Sequence, residues 1–166
     1  LTGSNVKSLF LLAEDLLTVE ADEGQILQVI HNLVLNAVHA MQEGGTIEVN
    51  ARNVSARHSG NKFVRFSIAD TGFGISEQDL PKIFDPYFTT KQFGSGLGLA
   101  SSYSIIKKHG GKIRAISILG KGSTFTISLP ASIQECKPGP IPQQELTLGC
   151  GHILLMDDEE MIREFV

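Results

Sequence analysis

The stretch Gln25–Met41, QILQVIHNLVLNAVHAM, constrains the chain more than any other. Ile26, Val29, Ile30, Leu33, Ala37, Ala40 and Met41 recur at three- and four-residue steps. That is the period of a helix laying one apolar stripe on a sheet. The other side carries Gln28, Asn32, Asn36, His39 and Glu43. A solvated helix face normally shows Lys and Glu. Asn is a poor helix former because its side chain competes for backbone hydrogen bonds. Two asparagines one turn apart therefore have a cause: a pair of solvated amides, or a ligand in front of them.

The helix needs a sheet, and the flanking sequence supplies one. Val6–Leu12 is a short apolar run that suits an edge strand. Asp22 and Gln25 form a D-x-x-Q capping box opening the helix, and Gly44-Gly45 closes it. Thr46–Val54 and Lys62–Asp70 alternate apolar and polar residues and read as a hairpin around a turn-like loop. Ser76–Phe84 reads as a short helix capped by Ser76. Asp85–Ser95 is a long loop, and Gly96–Lys108 a second helix stopped by His109-Gly110-Gly111. Lys112–Leu119 and Ser123–Leu129 make a closing hairpin. This order predicts an α+β, two-layer sandwich: a mixed, mostly antiparallel sheet with helices on one face.

Beyond residue 130 the character changes. KPGPIP packs three prolines into six residues, so residues 131–150 read as a linker and 151–166 as a separate piece. A length of 166 residues, 42% hydrophobic and 19% charged, suits one domain with a fragment of another. A net charge of −4 without a basic run argues against a nucleic-acid partner. Cys136 and Cys150 stand apart without CxxC or histidine at ligand spacing, against a disulfide framework or zinc site. No apolar run reaches membrane-span length, so a cytoplasmic location is expected, with any anchor of the parent outside the chain. Leu1 is not a natural start, and the chain is expected to be an excised piece.

Two glycine clusters follow the first helix. In DTGFGI, Asp70–Ile75, an acid ends a strand and two glycines follow. A carboxylate there can accept from an exocyclic amine, although a plain turn reads equally well. In GSGLGLA, Gly94–Ala100, three glycines alternate into a helix start, where free N–H groups and the helix dipole favour phosphate. A flexible turn is the alternative, and the P-loop and dinucleotide patterns are absent. Between them IFDPYFTTK places Phe84, Tyr87 and Phe88, then Lys91. The aromatics suit a patch pinning the loop; Lys91 suits a phosphate counter-charge or a solvated lysine.

Taken in order, the amide-lined helix, D-x-G-x-G, the aromatic segment, G-x-G-L-G-L and GKGSTF resemble the catalytic and ATP-binding domain of sensor histidine kinases. Gyrase, the heat-shock chaperone ATPases and the mismatch-repair ATPases share that superfamily and its Bergerat-type fold. The resemblance covers about Val6–Pro130 and carries roles with it. Asn36 would hold Mg²⁺, and Asn32 would lie near metal or phosphates. Asp70 would accept from the adenine amino group. Gly72 and Gly74 would let the backbone approach the base, and Thr124 would support it through water. Gly94, Gly96, Leu97 and Gly98 would bind phosphates, with Ile75, Tyr87, Lys91, Ser95 and Leu99 completing the ATP site. Asp85–Ser95 would be a lid. Many relatives carry Lys or Arg where His39 stands, so a charge there is not assured. The hydrolysing cousins carry a Glu general base where Asn32 stands, so γ-phosphoryl transfer to a histidine is implied rather than hydrolysis.

The phosphoacceptor histidine is implied on a dimerisation domain of a homodimeric parent; His31, His39, His58, His109 and His152 do not fit it. HILLMDDEE resembles the first strand of a response-regulator receiver domain, with Asp157 and Asp158 matching its Mg²⁺-holding acidic pair. An ordinary acidic loop is the alternative there. The resemblance thus implies ATP and Mg²⁺ as cofactors, and the dimerisation domain and a receiver or response regulator as partners, in a hybrid kinase. Competing readings are a stand-alone ATPase or serine kinase of the same fold, and a nucleotide-binding regulatory module without transfer activity.

Overall fold

The computed structural model describes residues 5–56, 60–91 and 94–132, all within one unit of the chain, Leu1–Cys136. The elements in chain order are β1 (Val6–Leu12), α1 (Glu23–Ala40), β2 (Gly45–Ser55), β3 (Lys62–Asp70), α2 (Gly98–Lys108), β4 (Lys112–Ile118) and β5 (Gly122–Pro130), with a 3₁₀ turn at Leu80–Lys82. The sheet order is β1-β2-β3-β5-β4. β1 runs parallel to β2, and the other pairs are antiparallel. The mixed sheet with helices on one face agrees with the alternation in the sequence.

Period-two alternation divides the sheet into two faces. Ile47 and Ala51 of β2, Ile68 of β3, Ile113 of β4, and Phe125, Ile127 and Leu129 of β5 are buried beneath the helices. From above, α1 contributes Val29, Leu33 and Ala37, and α2 contributes Ile106. Val29, Leu33, Ile68, Ile106 and Ile127 are fully buried. Each is worth about 1.5–3 kcal/mol over its exposed state, so this layer is the main force holding α1 on the sheet.

Local chemistry changes three of the expected details. Asp22 does accept from the Gln25 N–H at 2.9 Å, as a capping residue should. Gln25, however, turns its amide to the Asp22 carboxylate at 3.3 Å instead of reaching back to the Asp22 N–H. That N–H donates to His109 Nε2 at 3.1 Å, and His109 Nδ1 meets the Ile105 carbonyl at 2.8 Å. A carbonyl only accepts, so the ring carries its proton on Nδ1 and joins the start of α1 to the end of α2.

The helix expected over Ser76–Phe84 shortens to the 3₁₀ turn at Leu80–Lys82. Ser76 caps as expected, accepting from the Asp79 N–H at 3.2 Å, and the Leu80 N–H reaches the Ser76 carbonyl at 3.0 Å. Pro81 then has no N–H to continue the ladder, and Lys82 bonds back to Asp79 at 2.8 Å. The second helix starts at Gly98 rather than Gly96, because Gly96 sits at φ +67°. The linker at 131–150 beyond residue 132, and the 151–166 segment with Asp157 and Asp158, lie outside the described residues.

Candidate nucleotide site

The buried acid sits where β3 ends against β5. Asp70 is only 7% exposed. Its Oδ1 accepts from the Gly72 N–H at 2.9 Å and the Ser123 N–H at 3.2 Å. Burial pushes its carboxyl above the ordinary carboxylate range, and these two donors pull in the opposite direction. Oδ2 has no partner among the described residues, which leaves one uncommitted acceptor on a held carboxylate.

The surrounding turn is built by hydroxyls that the sequence did not single out. Ser117 Oγ of β4 accepts from the Ile75 N–H at 2.7 Å, donates to the Gly122 carbonyl at 2.9 Å, and lies 3.0 Å from Ser123 Oγ. Ser123 stands directly opposite Asp70 in the β3–β5 ladder, whereas Thr124 pairs with Ala69. Opposed residues share a face, so Thr124 belongs to the sheet face away from the helices and from Asp70. Ser123, and not the expected Thr124, therefore shares the sheet face of Asp70. Only the register reveals this, because adjacent residues in GKGSTF differ by one position and hence by a whole sheet face.

The glycines of DTGFGI serve the fold directly. A Cβ on Gly72 would come within 2.5 Å of the Ala40 Cβ, and the Phe73 N–H bonds the Ala40 carbonyl at 3.1 Å. Gly74 has φ +74°, and a Cβ there would overlap the Ile118 carbonyl. These positions therefore let the turn close on α1 and β4. Ile75 is half-buried against the core.

The amides of α1 are both engaged. Asn32 Nδ2 donates to the Gly98 carbonyl at 3.0 Å and to Ser102 Oγ at 3.3 Å, while the buried Ser102 hydroxyl donates to the same carbonyl at 2.8 Å. Asn32 thus ties α1 to the first turn of α2. One turn further, Asn36 Oδ1 accepts from Lys91 Nζ at 2.9 Å, and that ammonium lies 3.3 Å from His39 Nδ1. An ammonium only donates, so His39 Nδ1 is the acceptor. Burial lowers the Lys91 pKa below its ordinary value.

The segment before α2 folds back on the aromatic loop. The Tyr87 N–H donates to the Gly96 carbonyl at 3.1 Å, and a Cβ on Gly96 would overlap the Tyr87 backbone. Tyr87 itself has φ +66° and is 75% exposed. Phe84 and Phe88 pack on the core, which is the pinning reading of that patch, and Phe84 also meets the Tyr103 ring at 5.5 Å. Leu99 packs on the core, while Leu97 is exposed with its N–H on Ser95 Oγ at 3.4 Å. Gly98 has ordinary space around it, its nearest Cβ neighbour being Asn32 Cγ at 3.6 Å. Gly94 is close to Thr89, and its N–H reaches the Lys91 carbonyl at 3.3 Å. Within the expected lid, residues 92 and 93 lie outside the described residues.

The donor set suits Mg²⁺ only with help from phosphate. No cluster of three His, Cys, Asp or Glu able to hold a metal occurs among the described residues. Mg²⁺ takes few protein ligands beside waters and phosphate oxygens, so one amide oxygen is sufficient. Asn36 Oδ1 already holds a cationic group, the Lys91 ammonium, which shows that its lone pairs face a place a cation can occupy.

Comparison with known proteins agrees with this architecture. Residues 21–133 match the family described as histidine kinase-, DNA gyrase B-, and HSP90-like ATPase. The sensor kinase CckA of Brucella abortus is 39% identical over 98% of this chain, which spans 19% of that protein. The sensor histidine kinase ZraS of Salmonella typhimurium is 47% identical over 73% of this chain, spanning 25% of that protein. Among solved structures, the catalytic domain of the histidine kinase ThkA superposes with a TM-score of 0.66 at 38% identity, covering 76% of this chain and 80% of that one. The chain belongs to the histidine kinase-, DNA gyrase B- and HSP90-like ATPase family, as the ATP-binding catalytic portion of a histidine kinase.

Proposed function

We propose that this chain binds Mg-ATP on the helix face of the sheet and passes the γ-phosphoryl group to a histidine on a dimerisation domain of the same parent. The carrying observation is the pair formed by Asp70 and Asn36. One is a buried carboxylate with a free oxygen; the other is an amide oxygen on α1 that already accepts from a cation. Asp70 Oδ2 accepts from the adenine amino group, and Ser123 and Ser117 hold the turn that positions it. Asn36 would hold Mg²⁺ through its amide oxygen, and the bound ion would supply charge neutralisation to the phosphates. Lys91 transfers from Asn36 to phosphate, its lowered pKa rising again beside the anion. Gly94, Gly96, Leu97 and Gly98 present backbone N–H groups to phosphate near the start of α2, with Ser95 and Tyr87 flanking them.

No carboxylate stands at Asn32, and an amide cannot take a proton from water. The chain therefore favours transfer to an imidazole, which is its own nucleophile, and its contribution is positioning and electrostatics. The acidic HILLMDDEE segment we assign to a receiver domain, with Asp157 and Asp158 as its metal-binding pair, so that the parent is a hybrid kinase acting in the cytoplasm. The test supplies the chain and ATP with a separate histidine-bearing helix domain from the parent. Acid-labile phosphohistidine on that domain supports the proposal. Phosphoserine, or ATP binding with no transfer at all, contradicts it.

A further inference from the structure

The sheet face turned away from the helices carries a concavity of about 300 Å³, lined by Glu48, Asn50 and Arg52 of β2, Arg65 and Ser67 of β3, and Thr126 of β5. Arg52 and Arg65 stand directly opposite each other in the β2–β3 ladder. Like charges so placed cost stability. Neither forms an ion pair among the described residues; Arg65 Nε donates only to the neutral Ser128 Oγ, at 3.3 Å. The row continues through Ser128 to Lys112, and the adjacent row runs Asn50, Ser67, Thr126, Arg114. Four cations thus face Glu48 alone across β2 to β4, in a chain whose net charge is −4. Segregated positive charge around a concave floor of hydroxyls and an amide has a simple use. Guanidinium forks match the paired oxygens of phosphate and carboxylate, and short hydroxyl and amide donors complete the shell.

We propose that this concavity binds the oxyanion head of a small metabolite, held between the Arg52 and Arg65 guanidinium groups over Asn50, Ser67 and Thr126. Glu48 lies four residues along β2 from Arg52, about 13 Å, and confines the anion to the arginine end. The site shares β3 with Asp70 but lies on its opposite face, so it does not compete with nucleotide for the same side chains.

The test is a residue-resolved amide shift titration with inorganic phosphate, and separately with citrate, in saturating ATP analogue and Mg²⁺. Shifts centred on Arg52, Arg65, Ser67 and Thr126 with either anion support the site, and the tighter anion names the head group. Arg52→Gln and Arg65→Gln are each expected to weaken binding about ten-fold, the loss of one charge-assisted partner, and Glu48→Gln to strengthen it. Arg52 is exposed and Arg65 half-buried, so folding of each variant is checked by melting. Arg52→Gln is expected to raise the melting temperature of the free chain, by relieving the like-charge pair, while reducing the further rise caused by a fixed anion concentration. Shifts confined to residues 94–98, no shifts with either anion, or unchanged affinity in both arginine variants would overturn the proposal.

Discussion

Asp70 combines a stability cost with the binding role proposed for it. Its folded pKa is raised above the ordinary 3.8, chiefly by burial. The folded chain therefore holds that proton more tightly than the unfolded chain does. Stability falls as pH rises from the ordinary value through the folded one, and stays lower above it. Asp70→Asn keeps an oxygen for the Gly72 and Ser123 N–H groups and removes the buried charge. It is expected to raise the urea midpoint at neutral pH and flatten its dependence on pH in that window. The same change replaces an acceptor by an amide, and is expected to weaken ATP-analogue binding about 10- to 100-fold. The glycines separate in the same way. Gly96→Ala places a Cβ against the Tyr87 backbone at φ +67°, and is expected to cost about 2–4 kcal/mol by urea unfolding. Gly98→Ala meets only Asn32 Cγ at 3.6 Å and is expected to be neutral or about 1 kcal/mol stabilising. Glycine spacing in GSGLGLA does not distinguish these two; backbone angle and close approach do.

At the level of elements, β2, β3 and α1 were legible from their periods, and β1 from a short apolar run. The 3₁₀ turn at Leu80–Lys82 was not, because favourable capping at Ser76 competes with the missing N–H of Pro81 five residues on. Ser117 and Ser123 were not legible either, since their meaning depends on which sheet face the register gives them. Thr124→Ala, on the far face, is expected to leave nucleotide affinity unchanged, while Ser117→Ala loosens the Ile75 turn and lowers it, both read by calorimetry. The link between α1 and α2 also emerged only in three dimensions. Asn32→Ala removes the side-chain donor to Gly98 and Ser102. It is expected to cost about 1–2 kcal/mol and speed hydrogen exchange in the first turn of α2. Nucleotide affinity should fall while its Mg²⁺ dependence persists, because Asn36 is untouched.

In the molecule as a whole, one sheet separates two chemistries. The helix face combines the core with Asp70, Asn32 and Asn36, and the far face collects the cations. Among the described residues no helix is long and apolar enough to cross a membrane. The chain spans 19% of the length of CckA and 25% of that of ZraS. The most direct measurement is a calorimetric titration of the chain with a non-hydrolysable ATP analogue, with and without Mg²⁺, for the wild type, Asp70→Asn and Asn36→Ala. The account predicts Mg²⁺-strengthened binding that weakens in Asp70→Asn and loses its Mg²⁺ dependence in Asn36→Ala. Equal affinity in all three proteins, with Mg²⁺ dependence intact in Asn36→Ala, would contradict it.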